Sequence, residues 1–533
     1  MNDIRKTNTT SVHAASRKSA VSPLGFFCIG FGAIVGVGWD VSINGWMADC
    51  GGPLPAAAGY ILALVMMIPI ALCYCELVPM LPVAGGGMAF SYKAFGEKVA
   101  LISGWAAFGA FIWIIPWESI QVTEVLGYSF PVLTKTPVLY ELAGSKIYLA
   151  SIVIGVICSL LMFALNRRGL ESAAKVQKFL CIFLLVIAIA AAVIAVVGGS
   201  PKNLYPVYDN SLNPDAYHHS FFGGALSILA AAPFFLAGFE TIPQGIEEAG
   251  GNVKKVGKTV VLSVFIACIF YAVLIICLGS GIPWKQFAVL KTPAGANLFI
   301  EMYPGTFGVV LYWLDTIGAL AGLFTTWNGF FLASANLLMG MARGNMVPKV
   351  FAKQDKNGIP INGLYACLAL SLAGPFLGSG LIGSITSFSG IAFVLSWFLT
   401  ACSLVQLRKT MPDAHRPYKI PGGKAMGAFA AAAAGIVLIL SFVPGNPVYV
   451  GSGAVTMFAI WMAAGIILYV SCTRERNAIP AASRAHAMFA HISEAVEEEE
   501  EMEHESAPSA MPNPKIPGPK IPNHNYPHQN PLA

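Results

Sequence analysis

Apolar residues fall along this chain in blocks of about twenty, and most Lys, Arg, Asp and Glu lie in the short stretches between them. At 1.5 Å per residue, a helix of about twenty apolar residues crosses the hydrocarbon core of a bilayer. The pattern predicts about twelve spans: 24–50, 55–78, 98–128, 147–166, 172–198, 219–246, 259–281, 306–341, 361–379, 381–407, 425–443 and 450–472. The first 22 residues are polar, with Arg5, Lys6, Arg17 and Lys18, and the apolar stretch after them continues into a full span. The first helix is therefore expected to stay in the membrane uncleaved.

Composition agrees with the pattern. Of the 533 residues 56% are hydrophobic and 11% charged, and the mean hydropathy is +0.67; a soluble protein is about 25% charged. A soluble multidomain enzyme is excluded, and the reading is an all-α integral membrane protein whose surroundings are the lipid bilayer. Net charge is +5, but eight glutamates crowd into residues 494–505; without residues 494–533 the balance is 30 basic against 19 acidic residues, or +11. That excess fits the basic cytoplasmic loops of a membrane protein, so no nucleic-acid partner is inferred. Eleven cysteines lie scattered, the closest being Cys73 and Cys75. No zinc or disulfide spacing arises, and they read as small packing residues.

Charge also predicts orientation. With the N-terminus inside, the inner segments before the tail hold 22 Lys and Arg, and the outer loops five, Lys135, Lys146, Lys202, Lys285 and Lys291. Both termini are expected in the cytoplasm of a multi-pass cell-membrane protein. Beyond the last span, Met488, Ile492 and Val496 recur at helical spacing, which suggests a helix lying at the membrane interface. Eight prolines between Pro508 and Pro531, with a repeated PKIP, predict an extended, largely disordered tail.

Two spans carry breaks. GFGAIVGVGWD, Gly30 to Asp40, holds four glycines. Gly32 and Gly36 form a GxxxG pair suited to close helix packing; alternatively, Gly36-Val37-Gly38 unwinds and bares amides for an anionic group. In the sixth span, PFFLAGFETIPQG sets Pro233, Gly238, Pro243 and Gly245 too close for a long regular helix. Interrupted helices five spans apart are expected where two five-helix repeats of opposite topology share one site.

Four loop segments then carry a resemblance. They are Glu76-Leu77 with Pro82, Ala84-Gly85-Gly86, Tyr92 and Ala94-Phe95-Gly96; GFETIPQGIEEAGGNVKKVGK after the sixth span; ARGNMVPKVFAKQDKNGIPIN after the eighth; and RPYKIPGG, Arg416 to Gly423, after the tenth. In these, and in span order over residues 22–472, the chain resembles the amino acid, polyamine and organocation permeases, the family built on the leucine-transporter fold. The resemblance implies a 5+5 inverted repeat plus two added helices, and a permease or antiporter that moves an amino acid or related amine by alternating access. The boundaries implied are a tail over 1–22, a transporter domain over 23–472 with repeats near 24–198 and 219–407 and extra helices near 425–472, and a tail over 473–533.

The family's substrate site carries over to Ala33, Ile34, Gly36, Val37, Gly38 and Trp39 on helix one, and to Phe234, Ala237, Gly238 and Glu240 on helix six. Phe234 matches an aromatic that closes over the substrate in relatives, and Glu240 an acidic residue that many relatives keep. Amides opened near Gly36 to Gly38 suit a carboxylate, and carbonyls freed near Ala237 and Gly238 suit an ammonium. A carboxylate near the bilayer centre costs about 2.5–3.5 kcal/mol on insertion scales, which singles out Asp40, Glu118, Glu124, Glu240 and Asp315. Glu240 is the gating candidate, or else a structural tie across the broken helix. Asp40 reads first as a cap of the outer half of helix one; facing the cavity, with Glu118 and Asp315, it would favour a cationic substrate. Thr325 and Thr326 are candidate sodium ligands, although hydroxyls also bond back to their own helix. The lysine that replaces sodium midway along helix five in some relatives has no counterpart between Phe179 and Ser200. No cofactor is expected, and the coupling ion, proton or sodium, and the oligomeric state stay open.

Two other classes need features of their own. A membrane-embedded enzyme would need a reactive set, and neither HExxH nor GxSxG occurs. A substrate sensor on a transporter scaffold is the alternative, since the acidic, proline-rich tail offers a signalling segment.

Overall fold

A computed structural model of the chain describes residues 22–214, 216, 218–246 and 253–489. The residues 1–21, the end of the sixth-span motif at 247–252, and the tail from 490, with Ile492, Val496, the glutamates and the prolines, lie outside the described residues.

Ser22 accepts from the Gly25 amide at 3.1 Å, and Pro23 opens the first helix, a cap followed by a residue with no amide to satisfy. Span one comprises α1 (Pro23–Ile34), α2 (Gly38–Val41) and α3 (Ile43–Cys50); α4 (Pro53–Met80) is span two. A short α5 (Gly87–Phe95) lies in the following loop, and α6 (Glu97–Ser129), α7 (Leu149–Asn166) and α8 (Leu170–Gly198) are spans three to five. Span six is α9 (Phe221–Phe235) and α10 (Thr241–Gln244), and α11 (Val253–Gly279) is span seven. The loop before span eight folds into α12 (Trp284–Ala288) and α13 (Ala294–Met302). Spans eight to twelve are α14 (Thr306–Arg343), α15 (Ile361–Leu377), α16 (Ile382–Thr410), α17 (Gly423–Phe442) and α18 (Ser452–Ser471), followed by α19 (Thr473–Asn477) and α20 (Ala481–Phe489).

Ten of these spans are long and apolar enough to cross a membrane, and Phe221–Phe235 and Ile361–Leu377 are shorter apolar helices. Twelve crossings bring both ends of the bundle to one face, called here the terminal face. An antiparallel hairpin, β1 (Val138–Leu142) with β2 (Ser145–Tyr148), joins spans three and four on the opposite face, where the sequence reads only as loop.

Burial sorts the helices into two shells. Spans one, two, three and ten are buried over at least two thirds of their apolar windows, and spans four, five, eleven and twelve over a third or less. The outer helices turn Ile157, Val186, Val197, Ile439 and Ile467 outward, as lipid-facing helices do. The inner helices enclose the two breaks.

The recognised loops meet on the terminal face. Glu76, fully buried, accepts from Arg408 at 2.8 and 2.5 Å and from the Ile420 amide at 2.9 Å, and pairs with Arg416 at 3.1 Å. A buried carboxylate is tolerable when it is paired and hydrogen-bonded this fully. The end of span two is thereby tied to RPYKIPGG. Helix α20 docks on the bundle: Met488 is buried against Gly344, Arg484 reaches Glu97 at 2.7 Å, and the Phe489 ring meets Tyr92 at 5.9 Å.

Candidate functional site

Helix one stops because α1 ends at Ile34 and the chain does not resume helical bonding until Gly38. Val35 still donates to Phe31 O at 2.8 Å, and Val41 donates to Val37 O at 3.1 Å. Between them the amides of Gly36, Val37, Gly38 and Trp39 have no backbone partner. Free amides at the start of a helical segment form an anion-binding surface. The expected GxxxG packing coexists with this break: Gly32 faces Gln177 and Thr325, Gly36 faces Thr326, and a side chain on Gly322 would meet the Gly36 carbonyl at 2.5 Å.

Helix six breaks differently. Gly238 sits at φ +129°, and a Cβ there would lie 2.5 to 2.6 Å from the backbone of Ala33 and Ile34. Only glycine suits both the dihedral and the approach. Its amide donates to Glu240 Oε2 at 2.8 Å, and Trp397 Nε1 donates to Glu240 Oε1. The Gly238 carbonyl accepts from the Thr241 amide at 3.0 Å and from its hydroxyl at 2.6 Å. That carbonyl, expected to be free for an ammonium, is thus engaged inside the break.

The two breaks meet beside a cavity of about 280 Å³ lined by Ala33, Ile34, Gly36, Val37 and Gly38 on span one, Ile114, Trp117 and Glu118 on α6, Phe234 and Phe235 on α9, and Thr326 and Phe330 on α14. The Phe234 ring lies 5.2 Å from Trp117 and 5.1 Å from Phe235, closing one wall with aromatic surface. Glu118, 1% exposed, is the single acidic lining residue, and its Oε2 has no partner.

Of the sequence-derived site residues, Ala33, Ile34, Gly36, Val37, Gly38, Phe234, Glu118 and Thr326 line this cavity. Trp39 is fully buried beside it, and Ala237 is 1% exposed. Glu240 opens instead on a neighbouring space of about 240 Å³ toward the terminal face, with Tyr74, Gln244 and Ser396. Asp40 stands outside the cavity, bonded to the Ala296 amide, and so adds no charge to it. Ile114, Trp117, Phe235 and Phe330 went unread in the sequence because an apolar residue in an apolar helix carries no signal. Trp117 beside Glu118 was the one available hint.

Sodium can be tested against the donors present. Thr325 Oγ1 donates to Gly322 O at 2.7 Å, and Thr326 Oγ1 donates to Gly322 O at 3.2 Å and Gly32 O at 3.3 Å. From α8, Gln177 Nε2 donates to Thr325 O at 3.0 Å and Cys28 O at 3.4 Å, and its own oxygen accepts from Asn328 at 2.8 Å. The carbonyls between helices one and eight therefore already accept amide and hydroxyl hydrogens. The Thr hydroxyls thus bond back to helix carbonyls, as hydroxyls inside a helix do, while each oxygen keeps lone-pair capacity.

The chain matches the family model described as amino acid permease over residues 21–471. Among curated relatives, a branched-chain amino acid permease, BcaP of Bacillus subtilis (strain 168), is 24% identical over 495 residues, covering 89% of this chain and 98% of the relative. The glutamate/serine transporter AimA of the same organism is 25% identical, covering 74% and 72%. The aspartate-proton symporter, also of that organism, is 23% identical and covers 77% of each. These are transporters rather than enzymes, and a bundle whose two broken helices meet beside a small cavity is an architecture that many secondary transporters share; the chain belongs to the amino acid permease family.

Proposed function

We propose that this permease carries one neutral, apolar amino acid per cycle. The cavity carries the reading: its walls are Ile34, Val37, Ile114, Trp117, Phe234, Phe235 and Phe330, and its free hydrogen-bond donors are the amides at Gly36 to Gly38. The substrate carboxylate sits on those amides and the side chain on the aromatic wall, with the ammonium toward Glu118. The full-length similarity to a branched-chain amino acid permease supports the same class.

The terminal face is assigned to the cytoplasm on the excess of Lys and Arg there. The two repeats, near 24–198 and 219–407, supply one broken helix each and rock about the cavity. Coupling is assigned to a proton, the ion named for the related aspartate-proton symporter.

The test is uptake of labelled leucine into proteoliposomes with unlabelled competitors. Leucine, isoleucine and valine should compete, and lysine and diamines should not. The unpartnered Glu118 oxygen favours a second reading, a cationic substrate, and uptake of labelled lysine or a labelled diamine with none of labelled leucine would establish that instead. Binding without any uptake would identify a sensor.

A further inference from the structure

A pair of buried carboxylates stands apart from the cavity, nearer the face opposite the termini. Asp40 on α2 is fully buried and Asp315 on α14 is 2% exposed. Asp40 Oδ1 accepts from the Ala296 amide at 2.9 Å. Its Oδ2 and both Asp315 oxygens have no partner, although the two carboxyls stand within reach of each other. Both crowd one glycine: a Cβ on Gly295 would lie 2.5 Å from Asp40 Oδ1 and 3.3 Å from Asp315 Oδ2. Two spans thus aim carboxylates at the first turn of α13, the helix that precedes span eight.

An ionised carboxylate only accepts hydrogen bonds, so neither group can satisfy the other while both are charged, and two like charges in a dry site repel. The surrounding groups offer no counter-charge. Tyr312, one turn before Asp315, is hydrogen-bonded to Ser129 at 2.9 Å. Tyr271 on α11 donates to Ile34 O at 3.1 Å. Glu118 and Glu124 on α6 and Asp49 on α3 are themselves acidic, Glu301 is exposed on α13, and Cys268 and Cys277 on α11 carry no positive charge. No Lys, Arg or His among the described residues pairs with either aspartate. No group of three metal-ligating side chains forms among the described residues, and the Ala296 N–H points at the pair as it would at an anion. A Cβ on Gly295 would collide with Asp40, so the first turn of α13 packs directly on the pair. A proton shared between the two carboxyls needs no added space.

We propose that Asp40 and Asp315 share one proton, forming a proton-binding site that holds α13 over the outer ends of spans one and eight. The Asp315 O–H donates to Asp40 Oδ2, while Asp40 Oδ1 keeps the Ala296 amide. Loss of the proton to the outer solution leaves two facing anions, whose repulsion lifts α13 and opens that side of the bundle. The inference rests on the proton-coupled reading above and gives it a location.

The test uses full-length protein and two isosteric variants. Asp315→Asn keeps a donor toward Asp40 but cannot titrate, and Asp40→Asn keeps an acceptor for Ala296 while donating to Asp315. Infrared difference spectra of the purified protein, in normal and heavy water, should show a protonated-carboxyl band that either variant loses. In proteoliposomes, the dependence of uptake on pH at the outer face should change at least tenfold less in either variant than in wild type. Retention of the band in both variants would overturn the site. Loss of the band with an unchanged pH profile would overturn its role in gating, as would a sodium requirement for the pH effect. The spectra need no transport, so they test the site even if the transport reading fails, and each variant tests it alone if the other does not fold.

Discussion

At Gly36 to Gly38, helix one leaves three amides without backbone partners, whereas helix six turns back on itself at Leu236 to Glu240, the Gly238 amide resting on Glu240 and the Gly238 carbonyl on Thr241. Both breaks cost helical hydrogen bonds in a membrane interior, where an unsatisfied backbone group is expensive. Helix six caps the amide and carbonyl of Gly238 from its own side chains, so its bend is closed at that residue. Helix one has no such side-chain cap at Gly36 to Gly38 and leaves those amides to a ligand. The lesson is a division of labour: the open break reads the substrate, and the capped break shapes and moves the wall facing it.

The largest effect that would separate these roles is Gly238→Ala. Its Cβ would meet the Ala33 and Ile34 backbone, which cannot yield as a side chain can, at a φ of +129°. A loss above about 4 kcal/mol is expected, read as little or no folded protein by size exclusion in detergent. Gly38→Ala meets only the Phe235 ring, at 2.6 Å. It should fold and lose substrate affinity at least about tenfold, near 1.4 kcal/mol. Equal stability of the two variants would remove the distinction between the breaks.

Glu240→Gln comes next. Both carboxylate oxygens accept from donors, Gly238 N–H and Trp397 N–H, and a carboxamide must turn its NH2 toward one of them. The expected cost is about 1–3 kcal/mol, with slowed turnover and retained substrate binding. Trp397→Phe removes one partner and should slow transport less. Normal turnover in Glu240→Gln would show that the capped break does not control motion.

Thr326→Val removes the donor to Gly32 O without changing shape much. A loss of about 0.5–1.5 kcal/mol in stability and a small rise in KM are expected.

The smallest effect is a control far from both breaks. Lys285 holds the Asp209 carboxyl down at about 2, from an ordinary 3.8, with Ser211 helping. A depressed carboxylate stabilises the fold above its unfolded value and loses that contribution as pH falls from about 4 through 2. Lys285→Met should therefore lower stability slightly above pH 4, by under about 1 kcal/mol for a partly exposed pair, seen as a small drop in melting temperature, and leave substrate binding unchanged. Altered binding would mean that the loop between spans five and six reaches the cavity.

Much of this molecule was legible before any coordinates. Twenty-residue apolar blocks located the crossings, since the bilayer imposes their length, and glycine and proline clusters marked both breaks. The state of each break was not legible. Whether Glu240 reaches back two residues to Gly238 depends on backbone geometry that composition does not encode. The cavity wall was half hidden: Gly36 and Glu118 stand out in apolar helices, and Ile114, Phe235 and Phe330 do not. Long-range meetings were invisible too. Glu76 and Arg416 belong to motifs read separately, and Asp40 and Asp315 were each noted without sign that α13, read as loop, would bring them together.

The central claim is that the open break of helix one binds the substrate carboxylate, and calorimetric titration of the purified protein tests it most directly. Leucine would be compared with leucinamide and with isopentylamine, which keep the side chain and nitrogen but lack the carboxylate. Two charge-assisted hydrogen bonds of about 1.5–3 kcal/mol each imply at least a hundredfold weaker binding, or about 2.7 kcal/mol, for both analogues. Binding of either analogue as tight as that of leucine would contradict the account.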